Sequence, residues 1–115
     1  MRNKLDKDIL EKLWNILRDR KRNMPNNSYV ASLYQEGNEK INQKIIEEAK
    51  EYVEAISHKE KSSIIHEAAD LWFHTLVSMS LNDIDVNDIL LELEKRFGTS
   101  GIEEKKSREK WGRLC

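Results

Sequence analysis

Residues 60–81 read EKSSIIHEAADLWFHTLVSMSL, and they differ in kind from everything around them. At about 100° per residue, Ile64, Ile65, Ala68, Ala69, Leu71, Trp72, Phe73, Leu76, Val77 and Met79 cover nearly the whole circumference of a helix. A helix with so little polar surface belongs at the centre of a fold. Its single polar stripe carries Glu67 and Asp70, with His74 one turn further on.

On either side of this segment the apolar spacing is one-sided and helical. Ile41, Ile45, Ala49, Tyr52, Val53 and Ile56 mark a helix that Asn38 can cap and that runs to about Ser57. Before it, Ser28 can cap a short helix toward Gln35 that Gly37 closes. Leu5, Ile9, Leu13 and Leu17, with Trp14 and Ile16, give a first helix that must stop before Met24 and Pro25. After the central segment, Asp85 can cap a helix closed by Gly98, with Val86, Ile89, Leu90, Leu93 and Phe97 on one face. Only 4 Gly and 1 Pro occur in the chain, and strand-like alternation is nowhere sustained. The expected fold class is all-α, a bundle of about five helices with the third and fourth as its antiparallel centre.

The 115 residues suit one domain, residues 1–115, with a polar tail over 99–115. A chain this short buries a limited core, which favours a partner chain. Its net charge of −1 gives no general pull toward nucleic acid or an acidic membrane surface. The only cysteine is Cys115, which excludes an intrachain disulfide and a cysteine zinc cluster and suits a cytoplasmic protein. No apolar run reaches the length needed to span a bilayer, and the first residues lack a signal-peptide core. The total charge hides a segregation: residues 41–97 hold 12 acidic against 6 basic side chains, while both ends are net basic.

The acidic middle contains Glu47, Glu48 and Glu51, whose spacing holds three carboxylates within about a third of one helix circumference. Set against Glu67 and Asp70 of the central helix, they would crowd five carboxylates into a partly desolvated place. Such crowding raises pKa values unless cations neutralise the cluster. A divalent ion is one answer, and an all-oxygen donor set selects Mg²⁺ or Mn²⁺, which pair naturally with phosphate substrates. An ion pair with Lys44 or another basic side chain is the other, and the residues alone leave both open. His74 fits a hydrogen-bonded core histidine and is kept out of the catalytic set. His58 and His66 read as surface residues, and Trp14, Tyr52, Trp72 and Phe73 as core.

The order of these pieces resembles a known family. Arg18-Asp19-Arg20-Lys21, Ser28-Tyr29 with Leu33, Gly37, Lys40-Ile41 with Lys44, Glu47-Glu48 with Glu51, Glu67-Ala68-Ala69-Asp70-Leu71 with His74, and Ser100-Gly101-Ile102-Glu103-Glu104-Lys105 with Arg108 resemble the phosphoribosyl-ATP pyrophosphohydrolases of histidine biosynthesis over about residues 13–108. The acidic core is shared with MazG-like all-α pyrophosphohydrolases, and the Ser28-Tyr29 and Ser100-Gly101 segments favour the histidine-pathway family. The resemblance implies Mg²⁺-dependent hydrolysis of the α–β phosphoanhydride of phosphoribosyl-ATP, giving phosphoribosyl-AMP and pyrophosphate. It makes Glu47, Glu48, Glu51, Glu67 and Asp70 the catalytic and metal-binding cluster, with Mn²⁺ a possible substitute.

Arg20, Lys21, Lys40, Lys44, Lys105 and Arg108 are then candidates for gripping substrate phosphates, because the acidic centre supplies no cations. The resemblance also implies a homodimer and a stand-alone enzyme without the cyclohydrolase domain to which this activity is often fused. The expected partners are a small nucleotide and a second copy, with no nucleic acid and no membrane. His66 departs from the family pattern, which favours an acidic or small polar residue there. Trp72-Phe73 likewise stands where Leu-Tyr is frequent. Two other readings compete: a house-cleaning NTP pyrophosphohydrolase with the same site, and a non-catalytic helical module that associates through its apolar helices.

Overall fold

The first helix, α1, covers Ile9–Asn23 and stops at Met24, whose left-handed backbone (φ 46°) lets its N–H reach the Arg20 carbonyl before Pro25 bars continuation. The computed structural model describes residues 8–97. The remaining helices are α2 (Tyr29–Glu36), α3 (Asn38–His58), α4 (Lys61–Leu81) and α5 (Val86–Phe97), and there is no strand among the described residues. The chain is all-α, as its apolar periodicity requires. It divides into two compact units, one up to Ile84 and a second from Asp85 onward.

In the first unit, α3 and α4 form an antiparallel hairpin with the most extensive packing of any pair, joined through Lys59 in left-handed conformation (φ 57°). Helix α1 packs on α4 and α2, and α2 packs on α3. Leu17, Leu33, Ile41 and Val77, one from each helix, are fully buried and form the centre of the core. Trp14, Ala31, Tyr34, Ala55 and Leu76 are buried around it. The Tyr34 hydroxyl donates to the Leu17 carbonyl at 3.1 Å and lies 3.0 Å from the Ser80 hydroxyl, so one polar link ties three helices together. Burial holds that phenol above its ordinary pKa.

Ser28 caps α2 as its sequence position implies, accepting from the Ala31 N–H at 3.1 Å. Asn38 does not cap α3. Gly37 holds that position with φ 84°, which L-residues rarely adopt. The Asn38 amide instead exchanges two hydrogen bonds with Asn82, at 3.2 and 2.8 Å, and joins the start of α3 to the end of α4.

Lys21 is drawn to the same end of the unit. Its ammonium donates to the Ser80 and Leu81 carbonyls at 3.0 and 3.2 Å and to Asp83 Oδ1 at 2.6 Å. A cation on the free carbonyls of a helix C-terminus opposes the negative end of the helix dipole. Lys21→Met leaves those carbonyls to water and is expected to lower unfolding free energy by on the order of 1–2 kcal/mol. Urea denaturation of the two proteins measures it.

The expectation for α4 needs one correction. Its buried residues, His74, Leu76, Val77 and Ser80, all lie in its C-terminal half, while Ile65 and Trp72 are 58% and 72% exposed. The links from α1 and α2, through Lys21, Tyr34 and Tyr29, all reach α4 at or beyond His74. The N-terminal half therefore keeps an uncovered apolar flank, and with it Ile46, Val53 and Ile56 of α3 are exposed.

In the second unit, Asp85 Oδ1 accepts from the Asn87 N–H at 2.8 Å and starts α5 as expected. Val86 is buried, whereas Ile89, Leu90, Leu93 and Phe97 are exposed. The Arg96 guanidinium pairs with Glu92 one turn earlier at 3.0 Å. Gly98 and the tail lie outside the described residues.

Candidate functional site

The helical hairpin brings the two acidic motifs face to face. Glu48, Glu51 and Glu67 each offer an oxygen such that all three lie within 4.8 Å of one another, and His66, Glu67 and Asp70 do the same with one ligand atom each. Glu67 belongs to both groups, so the four carboxylates form one continuous cluster. Glu47 stands at its rim rather than within it, taken up by Lys44.

Glu48 is the deepest member. Only 5% of it is exposed, and its Oε2 has no hydrogen-bond donor; the Oε2 of Glu67 is likewise buried without one. Burial pushes the Glu48 carboxyl above its ordinary pKa, and the nearby Glu51 and Asp70 charges push the same way, while Lys44 pulls it back. Glu51 is raised chiefly by its close approach to the Glu67 carboxylate, then by desolvation. Two orphaned carboxylate oxygens, beside the raised carboxyls of Glu48 and Glu51, describe a site short of positive charge.

Lys44 supplies part of that charge. Its ammonium lies 3.4 Å from Glu47 Oε1 and 3.5 Å from Glu48 Oε1. Burial alone would lower its pKa, but the Glu47 hydrogen bond and the surrounding Glu47, Tyr29 and Glu48 oxygens outweigh that, so its charged form is favoured. The ion pair and the carboxylate cluster thus coexist: Lys44 engages one Glu48 oxygen and leaves the other to the interior of the site.

The remaining basic candidates are dispersed. Arg20 pairs with Asp19 at 2.9 Å and lines an open cleft with Asn23, Pro25, Asn27 and Ser28 at the start of α2. Lys40 is exposed one turn before Lys44 on α3. Lys21 is engaged at the end of α4, ten residues and about 15 Å of helix beyond Asp70. Lys105 and Arg108 lie outside the described residues.

His74 is buried and is fixed by two hydrogen bonds. Its Nδ1 is 2.8 Å from the Asp70 carbonyl, to which it must donate, leaving Nε2 to accept from the Tyr29 hydroxyl at 3.0 Å. Phe73 meets the imidazole edge-on, with ring centroids 5.3 Å apart. His74 therefore anchors the first residue of α2 over the Asp70 turn, and both ring nitrogens are committed. Nothing local in the sequence signals the contact Tyr29 makes, because its partner lies 45 positions away. His66 is a surface residue as expected, 71% exposed, and its Nε2 is 3.3 Å from Asp70 Oδ2. The four-residue spacing of His66 and Asp70 was the available signal.

These carboxylates fit a hard divalent cation: the donors are oxygen, two of the oxygens lack any partner, and Lys44 offsets only part of the negative charge. Residues 10–97 match the family model described as phosphoribosyl-ATP pyrophosphohydrolase. The chain is 48% identical over 103 residues to a phosphoribosyl-ATP pyrophosphatase of Geobacter metallireducens, covering 90% of this chain and 94% of that one. It is 46% identical over 101 residues to one from Ruthia magnifica (88% and 96%). A third, from Hydrogenovibrio crunogenus, is 47% identical over 110 residues (92% and 97%).

Proposed function

This chain belongs to the phosphoribosyl-ATP pyrophosphohydrolase family, and we infer from that membership that it is a hydrolase of histidine biosynthesis acting on phosphoribosyl-ATP. Water adds across the α–β phosphoanhydride: one P–O bond forms, the bridging P–O bond breaks, and phosphoribosyl-AMP and pyrophosphate leave. The family match runs through both compact units, which supports one family domain. A nucleotide substrate of this kind is a cytoplasmic metabolite, and no described helix is long and apolar enough to cross a membrane.

We assign Glu48, Glu51, Glu67 and Asp70 to hold Mg²⁺, with Mn²⁺ as a substitute and Glu47 at the rim. The observation that carries this assignment is the buried Glu48 oxygen without a donor, among carboxylates that raise its pKa. When bound, the ion offsets the charge on the polyphosphate and lowers the pKa of water. A carboxylate of the cluster accepts the proton that water gives up. Lys44, already charged at the edge of the cluster, is placed to bind a phosphate oxygen, and Arg20 and Lys40 are further grips. His74 and Tyr29 keep the Asp70 turn and the start of α2 in register.

The test is pyrophosphate release from phosphoribosyl-ATP in Mg²⁺ and in excess EDTA, beside a panel of ordinary and modified NTPs. Activity on phosphoribosyl-ATP that disappears in EDTA is expected. Full activity in EDTA overturns the metal assignment, and a preference for NTPs overturns the substrate.

We further propose that two copies pair through the apolar flank of the hairpin. Ile46 and Val53 of α3 are 58% and 64% exposed, and Ile65 and Trp72 of α4 are 58% and 72% exposed. Apolar area of that kind on a short chain is the usual signature of an interface. Trp72→Glu is expected to weaken self-association at least about tenfold, seen as a shift from dimer to monomer mass by light scattering after gel filtration. A wild-type monomer sinks the proposal.

A further inference from the structure

We propose that His66 is a nitrogen ligand at the Asp70 end of the carboxylate cluster, raising this site's affinity for imidazole-binding divalent ions such as Co²⁺ relative to its affinity for Mg²⁺. The inference rests on the reading of the cluster as a cation site.

The geometry is that of two ligands awaiting one ion. His66 Nε2 and Asp70 Oδ2 are 3.3 Å apart on successive turns of α4. Nitrogen and oxygen ligands each about 2.0–2.2 Å from a shared ion lie about 3.0–3.4 Å apart when they are neighbours in its shell. Glu67 adds a third donor, with all three atoms within 4.8 Å of one another. That is near the span of about 4.4 Å across one such ion.

Two further oxygens of the cluster lack a partner. Glu67 Oε2 is buried and has no donor, and Glu48, only 5% exposed, presents its own unpartnered Oε2 to the same cluster. Lys44 lies against Glu47 and Glu48. The Asp70 end therefore has His66 as its neighbour of complementary chemistry. As a bare ion pair, a histidine 71% exposed contributes little to stability. As a ligand it changes selectivity, because imidazole binds borderline ions well and Mg²⁺ poorly.

Both nitrogens of His74 are hydrogen-bonded, and His58 pairs with Glu54 on the exposed surface of α3, so a His66 substitution isolates one imidazole. The full chain and its His66→Asn variant are titrated calorimetrically with CoCl₂ and separately with MgCl₂, and each is examined with one equivalent of Mn²⁺ by pulsed EPR. The expected result is a Co²⁺ affinity lowered at least about tenfold in the variant, with Mg²⁺ affinity changed by less than about twofold. The nitrogen coupling on Mn²⁺ should vanish with the imidazole. If both ions bind but the Co²⁺ to Mg²⁺ ratio is unchanged and no nitrogen couples, the His66 assignment is overturned while the carboxylate site stands. If neither ion binds the wild-type chain saturably, the cation-site reading fails, and this inference fails with it.

Discussion

In Glu48→Gln, hydrolysis of phosphoribosyl-ATP is expected to fall roughly 10²–10³-fold at saturating Mg²⁺, the loss typical of one preorganised electrostatic group. The metal-free fold should become more stable at the same time, by on the order of 1 kcal/mol. The two effects have one cause. Glu48 is buried, one oxygen faces other carboxylates without a donor, and its pKa is raised by desolvation and by Glu51 and Asp70. Without a cation, ionising it costs stability; with one, that charge becomes a ligand. Glutamine keeps the shape and an oxygen for Lys44, but removes the charge. Steady-state kinetics and urea denaturation in EDTA read the two effects separately. Unchanged activity removes Glu48 from the site, and a strongly destabilised variant shows that its charge was structural.

Magnesium should stabilise the protein most where the cluster is fully ionised. At a concentration of about 100 times its Kd, a ligand specific for the folded state adds about 2.7 kcal/mol. For Glu48 and Glu51 the pKa is raised in the folded chain, so a proton is held more tightly folded than unfolded. The stability these groups contribute is complete below the unfolded value and is lost as pH rises through the raised folded value. In EDTA their contribution therefore falls as pH rises above the ordinary glutamate value. Metal binding requires the deprotonated carboxylates and runs the opposite way. The gain on adding Mg²⁺ is expected to be larger at pH 7.5 than at pH 5. The pH-dependent loss in EDTA should shrink in Glu48→Gln. Thermal denaturation at both pH values, with Mg²⁺ and with EDTA, tests the sign as well as the size. An Mg²⁺ effect that grows toward acid contradicts the assignment.

Several local features follow from neighbours in the chain. Pro25 sets the end of α1, Ser28 caps α2, and Asp85 starts α5, each through bonds that span only a few residues. Asn38 fails as a cap for a reason outside its own segment: its amide has a better partner in Asn82, 44 positions away. Lys21 sits in a basic run that resembles a phosphate grip, but α1 delivers its ammonium to the free carbonyls of α4. A long, flexible side chain goes to the strongest acceptors within reach, and those are set by packing.

The sequence by itself determined the helices and the identity of the acidic residues, because a 3.6-residue period fixes which side chains share a face without reference to anything distant. It could also say that the central helix needed covering on every side. It could not say by what. Only the tertiary structure decided that α1 and α2 reach α4 from His74 onward and leave Trp72 exposed, and that Glu67 meets both Glu48 with Glu51 and His66 with Asp70. The reason is that periodicity records how much of a helix avoids water, whereas its rotation and its depth against a neighbour depend on how side chains from separate helices interdigitate. Four carboxylates become one charge-deficient cluster only after that packing has set their separations.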